Sequence, residues 1–136
     1  MKKAIACVIF LSILGGIYVP ALANNERNSS GTRFINISTI DLRLTFNGTT
    51  AKCIGVIEGL SGTTNITATF ALQRKEADGT YTTLITWPTV SVSITTLRFS
   101  ETYTVAYGYT YRFTMSVSVT RYGTTETVSK WVENAP

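Results

Sequence analysis

The residue types that usually carry out catalysis are scarce in this 136-residue sequence. It contains no histidine, which excludes Ser–His and Cys–His nucleophile pairs. Its acidic residues are scattered, and no two have a spacing that indicates a paired general acid and base. They are Glu26, Asp41, Glu58, Glu76, Asp78, Glu101, Glu126 and Glu133. We therefore predict no catalytic residues and no enzyme activity.

The same inventory predicts neither a metal site nor a cofactor. Zinc sites are built mainly from His and Cys, and the sequence offers only Cys7 and Cys53. It has no clustered acidic loop of the kind that holds calcium. It also has no glycine-rich loop that would hold a phosphate group or a nucleotide. Redox, metal-assisted and nucleotide-dependent chemistry are therefore not expected.

Aromatic side chains are the remaining candidates for a functional site. Tyr and Trp present flat surfaces with one polar atom, which stack on sugars or anchor partner proteins. If a surface cluster exists, we expect its members to be Trp87, Tyr107, Tyr122 and Trp131. The alternative interpretation is structural, with these side chains filling strands and Tyr109 and Tyr111 serving as core and corner residues.

The N-terminus has the pattern of an export signal. Lys2 and Lys3 precede a largely apolar run over residues 4–19, and Pro20 then breaks the run before Ala21-Leu22-Ala23, a small-x-small cleavage sequence. We predict a signal peptide over residues 1–23, a flexible lead-in over 24–32 and a folded domain over 33–133. The alternative is an uncleaved N-terminal anchor. The predicted location is secreted, without stable membrane insertion after signal cleavage.

Charge and cysteine content narrow the partners of the mature chain. Removing Lys2 and Lys3 with the signal peptide lowers the formal net charge from +4 to +2. No run of Lys or Arg longer than two remains, so nucleic acid is not an expected partner. Cys53 becomes the only cysteine, so no disulfide can form within the mature chain. We expect Cys53 to be a small buried side chain; the alternative, a disulfide between chains, requires exposure.

The folded part shows the two-residue period of β-strands. From residue 109 to 120, apolar side chains occupy every second position and hydroxyl-rich ones lie between, which predicts a long half-buried antiparallel strand. Similar runs predict about seven strands, hence an all-β antiparallel sandwich. A phase change predicts a bulge near Ser38 and Thr39, and Asn47-Gly48 predicts a turn. Near Ser100 the alternation of apolar and polar residues is less regular, which predicts two short strands there.

One motif resembles immunoglobulin-like and fibronectin type III domains. Gly108-x-x-Tyr111-x-Phe113 opens the predicted sixth strand, where such domains have a tyrosine that ties down the preceding corner. The resemblance implies that Tyr111 is this corner residue and that Phe113 faces Cys53. It also implies that Phe70 stands where antibody domains have a buried tryptophan. The expected fold is an immunoglobulin-like antiparallel sandwich preceded by a signal peptide.

More narrowly, the chain resembles small secreted proteins of Gram-positive bacteria that carry one immunoglobulin-like domain of unknown function. The motifs are Leu72-Gln73-Arg74-Lys75, Gly79 with Tyr81, Gly108-x-x-Tyr111 and Gly123. They mark hairpins and corners and carry no chemistry, so the resemblance implies no activity. The first hypothesis is a non-catalytic binding or adhesion module for a protein or glycan. The alternatives are a component that self-assembles through strand edges and a secreted enzyme inhibitor.

Overall fold

The computed structural model describes residues 33–136. Every regular secondary-structure element in this range is a β-strand. Eight strands follow one another along the chain, where about seven were predicted. They are β1 (Ile37–Asn47), β2 (Thr50–Gly59), β3 (Thr63–Lys75), β4 (Tyr81–Thr86), β5 (Val90–Val92), β6 (Thr96–Thr104), β7 (Tyr111–Arg121) and β8 (Thr124–Asn134). The predicted signal peptide and lead-in lie outside the described residues.

The strands form two antiparallel sheets. The three-stranded sheet has the order β1-β2-β6. The five-stranded sheet has the order β4-β3-β7-β8, with β5 pairing the other end of β3 on the same side as β4. The predicted all-β, immunoglobulin-like antiparallel sandwich is thus confirmed. β4 and β5 together act as one edge strand, interrupted at Pro88, which has no N–H to donate to the ladder.

The alternation of the sequence becomes the division between core and surface. In β7 the residues Tyr111, Phe113, Met115, Val117 and Val119 are all buried. The same period buries Ala51, Cys53 and Ile57 in β2 and Ile66, Ala68, Phe70 and Leu72 in β3. Because both sheets turn their apolar sides inward, the core lies between them.

Stacked aromatic rings join the two sheets at the centre of this core. The ring centroids of Phe70 in β3 and Phe99 in β6 are 4.0 Å apart, with an interplanar angle of 16°. Phe113 in β7 stacks on Phe70 at 5.6 Å. Cys53, Phe70 and Phe113, which the resemblance places in the core, belong to one buried cluster. These contacts hold the five-stranded sheet in place on the three-stranded one.

Tyr111 is the corner tyrosine that the sequence predicts. Its hydroxyl donates a hydrogen bond to the carbonyl oxygen of Ala106 at 2.7 Å and accepts one from the Ala106 backbone N–H at 3.0 Å. Ala106 lies in the connection from β6 to β7, which crosses from the three-stranded to the five-stranded sheet. The two bonds therefore fix the crossing between the sheets.

The predicted turn and bulge are also present. Gly48 has a φ of +62°, and Asn47 pairs with Thr50 across a two-residue connection, as in a tight hairpin. The β1–β2 register shifts between Ile37 and Thr39, which confirms the predicted irregularity. The prediction of two short pieces near Ser100 is wrong, because β6 is continuous and Ser100 pairs with Ile54 in unbroken register.

The segment before β1 is tied to the opposite sheet by side-chain hydrogen bonds. The buried amide of Asn36 donates to the carbonyl oxygens of Val119 at 2.9 Å and Thr124 at 2.8 Å. The carboxylate of Glu126 accepts from the backbone N–H groups of Ile35 and Asn36. These bonds link the start of β1 to the β7–β8 hairpin, which closes one side of the sandwich.

Candidate ligand-binding face

Three of the four aromatic residues predicted for a surface cluster are exposed. The relative exposures are 64% for Tyr107, 73% for Tyr122 and 57% for Trp131. Trp87 is only 8% exposed, so its prediction as a surface residue is wrong. Tyr109, expected in the core, is also placed differently: it precedes β7 and is 40% exposed.

Trp87 is buried where the edge strand is interrupted, next to Pro88. β4 ends at Thr86, and the Trp87 N–H donates to the Phe70 carbonyl oxygen at 3.0 Å. The indole then packs edge-on against Phe99, with ring centroids 5.2 Å apart. A tryptophan thus fills the core as in antibody domains, but it enters from the edge of the sheet.

The three exposed aromatic residues do not form one cluster. Tyr107 precedes β7 and Tyr122 follows it, so they lie at opposite ends of an 11-residue strand, about 30 Å apart at the usual strand rise. Trp131 lies between them on β8, opposite Thr114 of β7. Its side chain is on the outer face of the five-stranded sheet, and it is the one member of the predicted set on a sheet face.

Arg112 connects Trp131 to the rest of this face. The guanidinium carbon of Arg112 lies 3.5 Å from the ring centroid of Tyr81 and 5.2 Å from that of Trp131. The Arg112 Nε–H donates to Oε1 of Gln73 at 3.1 Å, and Nε2 of Gln73 donates to the hydroxyl of Thr83 at 3.2 Å. The guanidinium is held between two rings and oriented by an amide.

Glu133 completes a row that crosses four strands. It is the Cα partner of Arg112, which in turn pairs with Gln73. The hydroxyl of Tyr81 on β4 donates to the Glu133 carboxylate on β8, so the bond spans the sheet. This bond, with burial and the charge of Glu133, raises the pKa of Tyr81 although Arg112 opposes the shift. We call Gln73, Tyr81, Arg112, Trp131 and Glu133 the Arg112 cluster.

The rest of the outer face consists largely of hydroxyl side chains. On β7 and β8 these are Thr114, Ser116, Ser118, Thr120, Thr125, Thr127 and Ser129, all at least partly exposed. The hydroxyl oxygens of Ser118 and Thr127 are 2.9 Å apart, and those of Thr120 and Thr125 are 2.8 Å apart. In each pair either oxygen could be the donor. We call this set of seven residues the hydroxyl face.

The outer face of the three-stranded sheet has a different character. It carries an open depression of about 420 Å³ with Ile54 and Val56 on its floor and charged residues at its rim. Arg43 forms an ion pair with Asp41 at 2.8 Å, which raises the pKa of Arg43. No aromatic ring lines this depression among the residues that the structure describes.

Groups suited to binding a metal ion are not assembled in the described part of the chain. Within residues 33–136, no three His, Cys, Asp or Glu side chains lie close enough to hold a metal ion. Cys53 is fully buried and unpaired, and burial raises its pKa to about 12. A buried, protonated thiol is neither a nucleophile nor available to another chain, so the interchain disulfide is contradicted.

Sequence reasoning found Trp131 and missed the residues around it. Arg112 is the single charged side chain among the outward-facing positions of β7 that lie between its buried residues. The other positions of this kind carry Ser or Thr, so the arginine in the sequence pattern could have indicated a functional residue. Tyr81 and Glu133 carried no such signal, because only the strand order brings them together.

Two further observations bear on the identity of the chain. In the range 33–136 there is no helix of the length and apolarity needed to cross a membrane. No protein-family model matches the sequence, and comparison with curated proteins finds no match. The resemblance to small secreted Gram-positive proteins therefore stays a prediction from the residues quoted above.

Proposed function

We propose that this chain is an exported, non-catalytic immunoglobulin-like module that binds a ligand on the outer face of its five-stranded sheet, outside the cell or at its surface. The observation that carries the proposal is the Arg112 cluster. An exposed tryptophan stands on a flat polar sheet face, beside a guanidinium that two rings and an amide hold in one orientation.

The cluster is better explained by binding than by stability. A surface cation–π contact contributes only about 0.5–1 kcal/mol, and ordering long side chains costs conformational entropy of similar size. Side chains that are already ordered lose less entropy when a ligand arrives, which strengthens binding. Arg112 forms no ion pair with any residue that the structure describes, so its outer nitrogens remain free to donate to a ligand.

An array of glycans and extracellular proteins, probed with the purified protein, tests the proposed function. We expect a signal that falls strongly in the W131A variant, because this substitution removes the exposed indole without opening the core. The matched control is Y122A. Tyr122 is also an exposed aromatic residue beside an arginine, with Arg121 4.7 Å from its ring, but it lies in the β7–β8 turn. A signal that depends on Tyr122 rather than Trp131 would contradict the location of the site.

Export is tested separately with the full chain. Expressed in a Gram-positive secretion host, the protein is expected in the medium with Asn24 as its first residue, because Ala21-Leu22-Ala23 has the form of a cleavage site. N-terminal sequencing reads this directly. Retention of the uncleaved chain in the cells would contradict export.

Self-assembly through a strand edge is the second candidate function. The observation that favours it is β8, an 11-residue edge strand paired with β7 without a register shift. Such an edge can accept another strand. Lys130 opposes this, since it is the Cα partner of the buried Met115 and so stands on the inward side of β8, where a charge discourages edge pairing. Light scattering over a concentration series separates the two: a monomer at all concentrations contradicts assembly.

A further inference from the structure

We infer that the ligand of the outer face is a neutral, linear polysaccharide, with one sugar ring stacked on Trp131 and its neighbours lying along the hydroxyl face. This inference rests on the proposed function and names the chemistry of its ligand. It follows from the shape of the apolar surface, from the charge of the cluster and from the hydrogen-bonding groups beside it.

The apolar surface suits a sugar better than a protein. Protein interfaces have an apolar centre made from several side chains, surrounded by a polar rim. Here one exposed indole stands among hydroxyl groups. The other large exposed hydrophobic residues of the described range lie outside this face, in the segment before β1, in turns and in connections between strands. A pyranose ring offers one flat C–H face with hydroxyls around it, which matches a single ring in a polar field.

The charge of the cluster points to a neutral ligand. Arg112 and Glu133 are direct cross-strand partners on the same face, so the cluster contains one cationic and one anionic side chain. An anionic sugar would meet the Glu133 carboxylate, and a cationic one would meet the guanidinium. A neutral sugar can use both, because a hydroxyl donates to a carboxylate and accepts from a guanidinium.

The hydroxyl pairs extend the site along the sheet. In a hydroxyl–hydroxyl pair one O–H group donates, so the partner's hydrogen and several lone pairs stay available. Because either oxygen of the Ser118–Thr127 and Thr120–Thr125 pairs can be the donor, each pair can reverse to suit a sugar hydroxyl. Along β8, the distance from Glu133 to Thr125 is about 26 Å at the usual strand rise, which leaves room for several sugar units.

Titration calorimetry on the purified protein tests the ligand class with a charge series. The probes are the neutral β-1,4-linked hexasaccharides of glucose, xylose and mannose, the anionic hexamer of galacturonic acid and the cationic hexamer of glucosamine. We expect at least one neutral hexamer to bind, and to bind more tightly than its own disaccharide and than both charged hexamers. Tighter binding of a charged hexamer overturns the inference, as does an absence of binding by all three neutral ones.

Substitutions then place the sugar on the surface. W131A is expected to weaken binding of the neutral hexamer about tenfold or more, as for a central aromatic contact. R112K keeps the charge and loses the flat donor group, so the affinity for the neutral hexamer is expected to fall about two- to tenfold. R98A is the matched control, an arginine on the outer face of the other sheet, and is expected to change nothing. Unchanged binding in both W131A and R112K overturns the inference.

The outcomes separate the inference from the proposed function. If no neutral sugar binds but the array shows a protein ligand whose signal disappears in W131A, the binding face stands and the sugar inference fails. If the array shows no ligand of any kind, both fail. Circular dichroism and the melting temperature show whether each variant is folded; should W131A fail to fold, R112K decides.

Discussion

The two sheets of this sandwich share one core and present different outer faces. The five-stranded sheet shows hydroxyl pairs and an arginine held between Tyr81 and Trp131. The three-stranded sheet shows an apolar floor with a charged rim, where Arg43 is already neutralised by Asp41. A paired charge has little left to offer a ligand, whereas the oriented guanidinium of Arg112, which has no ion-pair partner within residues 33–136, keeps most of its donors free.

The difference arises from the strand order rather than from composition. Arg43 meets its carboxylate two residues away on its own strand, a local contact. Arg112 meets Tyr81, Gln73 and Trp131 only because β4, β3, β7 and β8 are neighbours in that order.

Removing the ring stack that both sheets share should have the largest effect. Phe70→Ala deletes the ring 4.0 Å from Phe99 and should lower the free energy of unfolding by about 3–5 kcal/mol. Chemical denaturation measures this loss. Ligand affinity per folded molecule should be unchanged, because Phe70 faces inward. A loss below about 1 kcal/mol would mean that the sheets are held together elsewhere.

The corner bonds that fix the crossing between the sheets come next. Tyr111→Phe keeps the ring and removes the hydroxyl that bonds both polar groups of Ala106, for an expected destabilisation of about 1–3 kcal/mol. Tyr109→Phe is the matched control, since Tyr109 is partly exposed and outside β7. Equal melting temperatures for the two variants would contradict a role for the corner.

The buried thiol of Cys53 should make the free energy of unfolding depend on pH. Burial raises its pKa to about 12 from an ordinary value of 9.0, so the folded state holds this proton more tightly than the unfolded state. Its contribution to stability is complete below pH 9 and is lost as the pH rises towards 12, by about 1.4 kcal/mol per pH unit.

Denaturation at pH 9 and at pH 10.5 measures this loss, and Cys53→Val removes the thiol's share of it. The variant corrects for the lysines and tyrosines, which titrate in the same range in both proteins. In the native protein at neutral pH, a thiol reagent should leave Cys53 unmodified. Rapid modification would show that the reagent reaches the core between the sheets. An equal dependence of the unfolding free energy on pH in both proteins would contradict burial of the thiol.

The smallest effects are expected on the three-stranded face. Asp41→Asn breaks an exposed ion pair that solvent screens, so it should leave both the free energy of unfolding and the ligand affinity nearly unchanged. Denaturation and titration of the neutral hexamer measure both. A loss of affinity comparable with that of W131A would make the two faces equivalent and remove the distinction between them.

Much of the fold was predictable because it depends on local alternation. The inward positions of β2, β3 and β7 follow from the two-residue period, and Tyr111 follows from its place at the start of β7. Tyr109 continues the same period yet lies outside the strand, because the connection from β6 runs on to Thr110, past the turn at Gly108 with its φ of +94°. Periodicity gives the side of a strand and leaves its first residue undetermined.

Trp87 shows a second limit. Its neighbour Pro88 has no N–H to donate and interrupts the edge strand, but the sequence does not say which side of the sheet the side chain before it takes. In the tertiary structure the Trp87 side chain lies on the inner side, where the indole packs against Phe99 and Phe113. Burial of a large aromatic side chain is strongly favourable, so the core took a side chain that looked suited to the surface.

The antiparallel sandwich, the inward-facing residues of its long strands and the core roles of Cys53 and Tyr111 could all be predicted from the sequence. Those features depend on side-chain spacing and on burial of apolar groups. Only the tertiary structure decided that Arg112 lies between Tyr81 and Trp131, since their separation along the chain carries no information on strand order. The candidate site is built from these long-range neighbours, and it could not be predicted before the sheet was known.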